Sequence, residues 1–225
     1  MGDAEGEAEW CEWLALSLGC VVISPEYRLA PESRYPKPLE DCYAALTWIH
    51  NHSQSLGADP QRIAVWGGSA GGGLAAALAL LARDRGEISL CFQCLLYPML
   101  DDRTSLAPDP NEFAGEYVWT RANNAFGWES LLDREPGHPD ISPHAAPARA
   151  IDLAGLPPTF IWVGALDLFV DENIEYARRL IRAGVPTELH VYPGVTHGNI
   201  LQPDLPSSRQ CLATTLNALK RAFKE

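Results

Sequence analysis

One stretch limits what this chain can fold into more than any other: Arg62 to Arg83, RIAVWGGSAGGGLAAALALLAR. Ile63 to Trp66 is a short apolar run that reads as a buried strand, and Leu74 to Ala82 is apolar on every side, as a buried helix is. Between them lies Gly67-Gly68-Ser69-Ala70-Gly71, a G-x-S-x-G pattern. A turn this tight has no room for side chains near the serine, so glycines flank it and the hydroxyl is pushed out at the carboxyl end of the sheet. The following helix turns its unpaired N–H groups and the positive end of its dipole toward the same spot, where a developing oxyanion would be stabilised. Ser69 is therefore the candidate nucleophile.

The same glycines fit a second pattern. Gly71 to Ala76 reads as G-x-G-x-x-A, a dinucleotide fingerprint, but that fingerprint requires an acidic residue at the end of the next strand, and none precedes Asp101. No lysine follows the glycines as a phosphate-binding loop would need. Charge narrows the field further: 17 basic against 29 acidic residues leave a formal net charge of -12, with no basic stripe to neutralise nucleic-acid phosphates or anionic membranes. Five of the carboxylates, Asp3, Glu5, Glu7, Glu9 and Glu12, crowd the start of the chain and mark it as an exposed segment. The six cysteines sit in apolar runs without disulfide or metal spacing; Cys91 and Cys94, three apart in a strand, face opposite ways. No metal or other cofactor is expected. With no signal-peptide pattern and no apolar run long enough for a membrane helix, the chain reads as cytoplasmic.

Strands and helices alternate along the rest. Glu7 to Leu18 has helical spacing; Cys20 to Ser24 is a continuous apolar run expected to be a strand buried on both faces. A helix is expected from Pro38 or Leu39 through Ile49, a strand over Leu90 to Tyr97, and another over Thr159 to Gly164. The helix Asp171 to Ala183 follows, with Asp171 in the capping position; then come a half-exposed edge strand, Thr187 to Tyr192, and a last helix from about Ser207 to Phe223. This pitch means one α/β domain over residues 1–225 with a mainly parallel sheet flanked by helices. Residues 101–150 break the rhythm. They are rich in proline, lack strand signals and hold one helix pattern, Ala114 to Leu132, so they form an insertion too long for a plain loop.

A serine hydroxyl needs a base to take its proton, and the base needs an acid to hold its tautomer. Asp167 follows the strand ending at Gly164, and His197 follows the strand ending at Tyr192, which puts both at the sheet edge that carries Ser69. Serine, aspartate, histidine is the order of the α/β-hydrolases. Asp101 and Asp102 are rival acids, and His138, His144 and His190 rival bases; His190 belongs to a strand body and the other two histidines to the irregular segment.

These residues carry a resemblance that spans nearly the whole length. Tyr27 to Glu32 (YRLAPE), Glu40-Asp41, Gly67 to Gly73 (GGSAGGG), Tyr97-Pro98 with Asp101, Gly155 to Pro158, Asp167 to Glu172 (DLFVDE) and Gly194 to Gly198 (GVTHG) are similar to the hormone-sensitive-lipase-like carboxylesterases, the α/β-hydrolase fold-3 group. The resemblance implies Ser69 as nucleophile, Asp167 as triad acid and His197 as base. It implies hydrolysis of small-molecule carboxylic esters with short or medium acyl chains, and a partial cap formed by residues 101–150, whose Trp119, Phe126 and Trp128 would line the substrate pocket. Packing of a helix onto the core explains those aromatics equally well.

The chain departs from the family pattern at Gly68, where aspartate is usual, at Leu168, where proline is usual, and at Asn199, where phenylalanine is usual. The family's HGGG loop, which supplies most of the oxyanion hole, would lie just upstream of Gly2, together with the first strands. The expectation is therefore a fragment whose Met1 is an internal methionine, with the Ala70 N–H as its oxyanion donor and with impaired activity. The alternative is a non-catalytic small-molecule binding protein on the same scaffold. A homodimer through strand Thr187 to Tyr192 and the last helix is compatible with the sequence.

Overall fold

The structure, a computed structural model, describes residues 4–224; Asp3, the first carboxylate of the acidic run, lies outside them. Four strands, β1 (Ala64–Gly68), β2 (Phe92–Leu96), β3 (Thr159–Gly164) and β4 (Thr187–Tyr192), lie side by side in the order of the chain. All three pairings are parallel. A parallel pair cannot close through a hairpin, so each connection crosses over through helix. α3 (Ala70–Arg85) joins β1 to β2, the irregular segment with α4 (Arg121–Leu131) joins β2 to β3, and α5 (Val170–Arg182) joins β3 to β4. α1 (Ala8–Leu18) and α2 (Lys37–His52) precede the sheet in sequence, and α6 (Pro206–Ala222) follows it.

The two inner strands are buried throughout, as the continuous apolar runs imply. Two buried polar side chains meet between them: the Gln93 amide N–H donates to Thr159 Oγ1 at 2.7 Å, strand to strand, while Gln93 Oε1 has no partner among the described residues. One apolar cluster joins Leu46 of α2, Leu80 of α3 and Leu180 of α5 to Leu95 and Ile161 of the sheet. A second joins Leu14 of α1 and Cys211 and Leu219 of α6 to Phe160 and Trp162. A third, holding Met99, Trp128, Leu132 and Phe169, lies under the irregular segment.

Three local expectations are corrected. Cys20 to Ser24 forms no strand: among the described residues nothing bonds to it in a ladder, and Val21 and Ile23 are exposed. An apolar run becomes a strand only where neighbours take its backbone N–H and C=O groups. The helix in the insertion begins at Arg121 rather than Ala114, because Gly115 and Val118 have φ of 80° and 64°. Thr120 then caps it by accepting the Asn123 N–H at 3.3 Å. α5 starts at Val170 with Phe169 as its N-cap, so Asp171 lies within the first turn and Asp167 receives the Phe169 N–H at 3.0 Å.

The parallel sheet places the site. Since β1, β3 and β4 run the same way in register, from Gly68 through Leu96 and Trp162 to the Gly164–Tyr192 pair, the residues that leave their carboxyl ends emerge on one edge.

Candidate active site

Ser69 stands between β1 and α3 with φ 55° and ψ -123°, on the left-handed side that a non-glycine residue adopts only under constraint. Its backbone is held on both sides: the N–H donates to Leu96 O at 2.9 Å, and its carbonyl accepts from Gly73 N–H and Met99 N–H, each at 3.0 Å. The glycines leave room for this turn. A Cβ on Gly67 would lie 2.3 Å from the Gly71 carbonyl oxygen. Ala70 opens α3, so its N–H has no intrahelical acceptor, and the residue is exposed.

Base and acid arrive from the other two strand ends. The structure brings His197 Nε2 to 2.8 Å from Ser69 Oγ and His197 Nδ1 to 2.8 Å from Asp167 Oδ2. A carboxylate only accepts, so Nδ1 carries the ring proton toward Asp167 and Nε2 is free to accept from the serine hydroxyl. Asp167 is wholly buried, with its second oxygen taken by the Phe169 N–H, and His197 is buried at 7% exposure. The loop bearing the histidine crosses β3 at Gly164, where a Cβ would meet the Val195 carbonyl oxygen at 2.1 Å.

None of the rival residues reaches this cluster. Asp101 pairs with Arg103, Asp102 is buried against Arg149, His144 bonds Asp84, and His190 bonds Glu188. His138 turns to Asp140. The three aromatics of the insertion part company. Trp119 lies with its ring centroid 5.9 Å from that of His197; Phe126 is exposed to solvent; Trp128 is fully buried in the third apolar cluster. Trp128 packs inward because it shares the inner face of α4 with Asn124, one turn earlier, while Phe126 falls on the opposite face.

Two residues quoted above only as motif positions stand beside the base. Tyr97 and Phe169 set their rings edge-on or face-on to His197, with centroids 4.9 and 5.2 Å away. Tyr97 directly follows β2 and precedes Pro98, and the Tyr97-Pro98 pair carried no sign of contact with the histidine. Burial pushes its phenol up from the ordinary tyrosine range. Two cavities, of about 520 and 470 Å³, open beside Glu172 and Arg103; neither is lined by Ser69, Asp167 or His197. Chemistry follows the triad geometry rather than cavity size. Among the described residues no three His, Cys, Asp or Glu side chains gather within reach of one metal ion, and no helix is long and apolar enough to cross a membrane.

Residues 1–201 match the family described as alpha/beta hydrolase fold. The chain belongs to the α/β-hydrolase fold-3 family. It is 41% identical over 217 residues to Carboxylesterase NlhH of Mycobacterium tuberculosis, covering 93% of this chain and 66% of that protein. To Esterase LipI of the same organism it is 39% identical over 204 residues, covering 89% of this chain and 62% of the relative. The chain therefore spans just under two thirds of the length of these curated relatives. A solved structure named Bacterial Heroin Esterase superposes with a TM-score of 0.93 at 46% identity, over 99% of this chain and 71% of that one.

Within this hydrolase fold the three departures have local structural partners. Gly68 faces the Tyr97 phenol, Leu168 packs on Gly115 within the insertion, and buried Asn199 donates to Ser208 Oγ at 3.0 Å, tying the turn after His197 to α6.

Proposed function

We propose that the protein is a serine carboxylic-ester hydrolase acting on short- to medium-chain esters through an acyl-enzyme. The observation that carries this reading is the unbroken relay from Ser69 Oγ to His197 to buried Asp167, each link 2.8 Å. The names of the relatives, esterase and carboxylesterase, support the substrate class.

In this reading His197 Nε2 takes the hydroxyl proton as Ser69 Oγ attacks the ester carbonyl, and Asp167 stabilises the imidazolium that forms. The developing oxyanion accepts from the Ala70 N–H at the head of α3, where the helix dipole adds to the hydrogen bond. His197 then returns the proton to the leaving alcohol, which departs and leaves the acyl group on Ser69. Water enters, gives its proton to His197 and attacks the acyl carbonyl. The acid leaves as Ser69 recovers its proton, and the cycle closes.

Ala70 supplies one oxyanion donor, and each such donor contributes on the order of a hundredfold to a thousandfold in rate. Turnover by these 225 residues alone is therefore expected to be low beside that of a version extended upstream with a glycine-rich loop. Hydrolysis of a short-chain p-nitrophenyl ester is the test, with Ser69→Ala as control. Turnover that vanishes in Ser69→Ala supports the reading; turnover that survives it, or none in either length, refutes it.

A further inference from the structure

His197 must hold one ring plane through two proton transfers if the proposed hydrolysis is right, and the inference that follows rests on that reading. Hydrogen bonds at Nδ1 and Nε2 and the covalent bond at Cγ hold the imidazole, but small rotations about its side-chain bonds can still rock the ring. Rocking spoils the donor and acceptor angles without breaking either contact. Something must therefore press on the face or edge of the ring.

Three aromatic rings stand close enough. Phe169 lies at 5.2 Å with an interplanar angle of 82°, and Trp119 at 5.9 Å and 32°. Tyr97, at 4.9 Å and 75°, differs from both because it also touches the nucleophile turn. Its ring is backed by Trp162 of β3 at 4.8 Å and 69°. On its hydroxyl side, a Cβ built on Gly68 would meet Tyr97 Oη at 3.1 Å and Cζ at 3.4 Å. The residue before the nucleophile is thus the wall against which the phenol rests.

The backbone is shaped to put the ring there. Tyr97 has φ 39°, outside the regions that side-chain-bearing residues prefer, and strain of this kind persists only where the surroundings enforce it. Its N–H is tied to the Trp162 carbonyl at 2.6 Å, and two residues later the Met99 N–H donates to Ser69 O at 3.0 Å. One turn therefore braces the nucleophile's carbonyl and stands a buried ring between that nucleophile's neighbour and the base.

We infer that Tyr97 is a positioning residue for His197: its ring, wedged between Gly68, Trp162 and the imidazole, fixes the plane of the base. The role belongs to the ring, since among the described residues no hydrogen bond of the hydroxyl takes part.

Two readouts test it: kcat and KM on p-nitrophenyl acetate, and the downfield proton resonance of His197 Nδ1–H, which reports how firmly the ring is held against Asp167. Tyr97→Leu is expected to lower kcat about thirtyfold with KM changed less than about twofold, and to broaden the resonance, since a small misplacement of a reacting group is felt in the chemical step. Tyr97→Phe keeps the ring and is expected to recover all but about threefold of that loss. Gly68→Ala sets a methyl against the phenol oxygen and is expected to lower kcat about tenfold, a loss relieved when Tyr97→Phe is added. Wild-type kcat and a sharp resonance in Tyr97→Leu would overturn the assignment. So would a Gly68→Ala loss of the same size in both backgrounds, and that pair decides if Tyr97→Leu does not fold. Should neither the wild-type chain nor its upstream-extended form show ester turnover, the hydrolase reading fails separately, and the resonance in the Gly68→Ala and double variants decides the positioning role.

Discussion

At Asp167 two oxygens have two separate employers, the Phe169 N–H and the His197 ring N–H. Asparagine has the same shape but only one acceptor, so Asp167→Asn must either leave the Phe169 N–H unmet or turn an amide N–H toward His197. The second outcome reverses the imidazole tautomer and leaves Nε2 protonated against Ser69. The expected result is a fall in kcat of about ten-thousandfold with KM little changed, measured on the same p-nitrophenyl ester. The meeting of these three side chains was legible in the sequence because each follows a strand and the strands are parallel, so chain order alone places them on one edge. What was not legible is which aromatic goes where. Trp119, Phe126 and Trp128 are of one chemical kind, yet one lies against the imidazole, one faces solvent and one is core. A two-residue step around α4 puts the last two on opposite faces, and which face turns inward is decided by the packing of the helix on the core.

Helix α5 carries a carboxyl with a different life. Glu172 is buried and accepts from the Leu100 N–H at 2.6 Å, from the Asp101 N–H at 3.3 Å and from Thr104 Oγ1. Burial still prevails and pushes it well above the ordinary glutamate range. A raised acid contributes stability that is complete below the unfolded-state value and drains away as pH rises through the folded one, because the fold holds a proton that the unfolded chain has lost. Glu172→Gln keeps an acceptor for the two backbone donors and has no charge to desolvate. Its urea midpoint should gain on the wild type between about pH 5 and about pH 8, and equal midpoints across that range would sink the account. Elements were read from sequence with uneven success for a physical reason. α1, α2, α5 and α6 advertise themselves through periodic apolar faces, a property each helix owns. Cys20 to Ser24 does not own its strand character, since a ladder needs a partner, and the sequence of one segment does not say whether a partner lies beside it.

On the scale of the whole molecule the sheet has two ends. β1 pairs with β2 alone, and among the described residues no strand bonds to its other side; β4 pairs with β3 alone. β4 has charge on its edge, with His190 and Arg221 both bonded to Glu188, whereas β1 runs Ala64-Val65-Trp66-Gly67-Gly68 with no charge at all. An uncharged edge is a template for further pairing. The 225 residues by themselves are therefore expected to associate as concentration rises, read by light scattering on a size-exclusion column. A single monomer peak across a hundredfold range of concentration would show that edge to be covered.

The same parallel layout has a consequence in time. Ser69 and His197 are 128 residues apart in sequence and Asp167 is 30 residues from His197, and no hairpin shortens the route between them. Contacts of such long separation are made only after the intervening loops have given up their entropy, which makes topologies of this kind slow. Helices such as α5 can form from local contacts while the chain is still open. The relay closes only when β1, β2, β3 and β4 have all joined, so the competence to do chemistry is a late event in the life of each newly made chain.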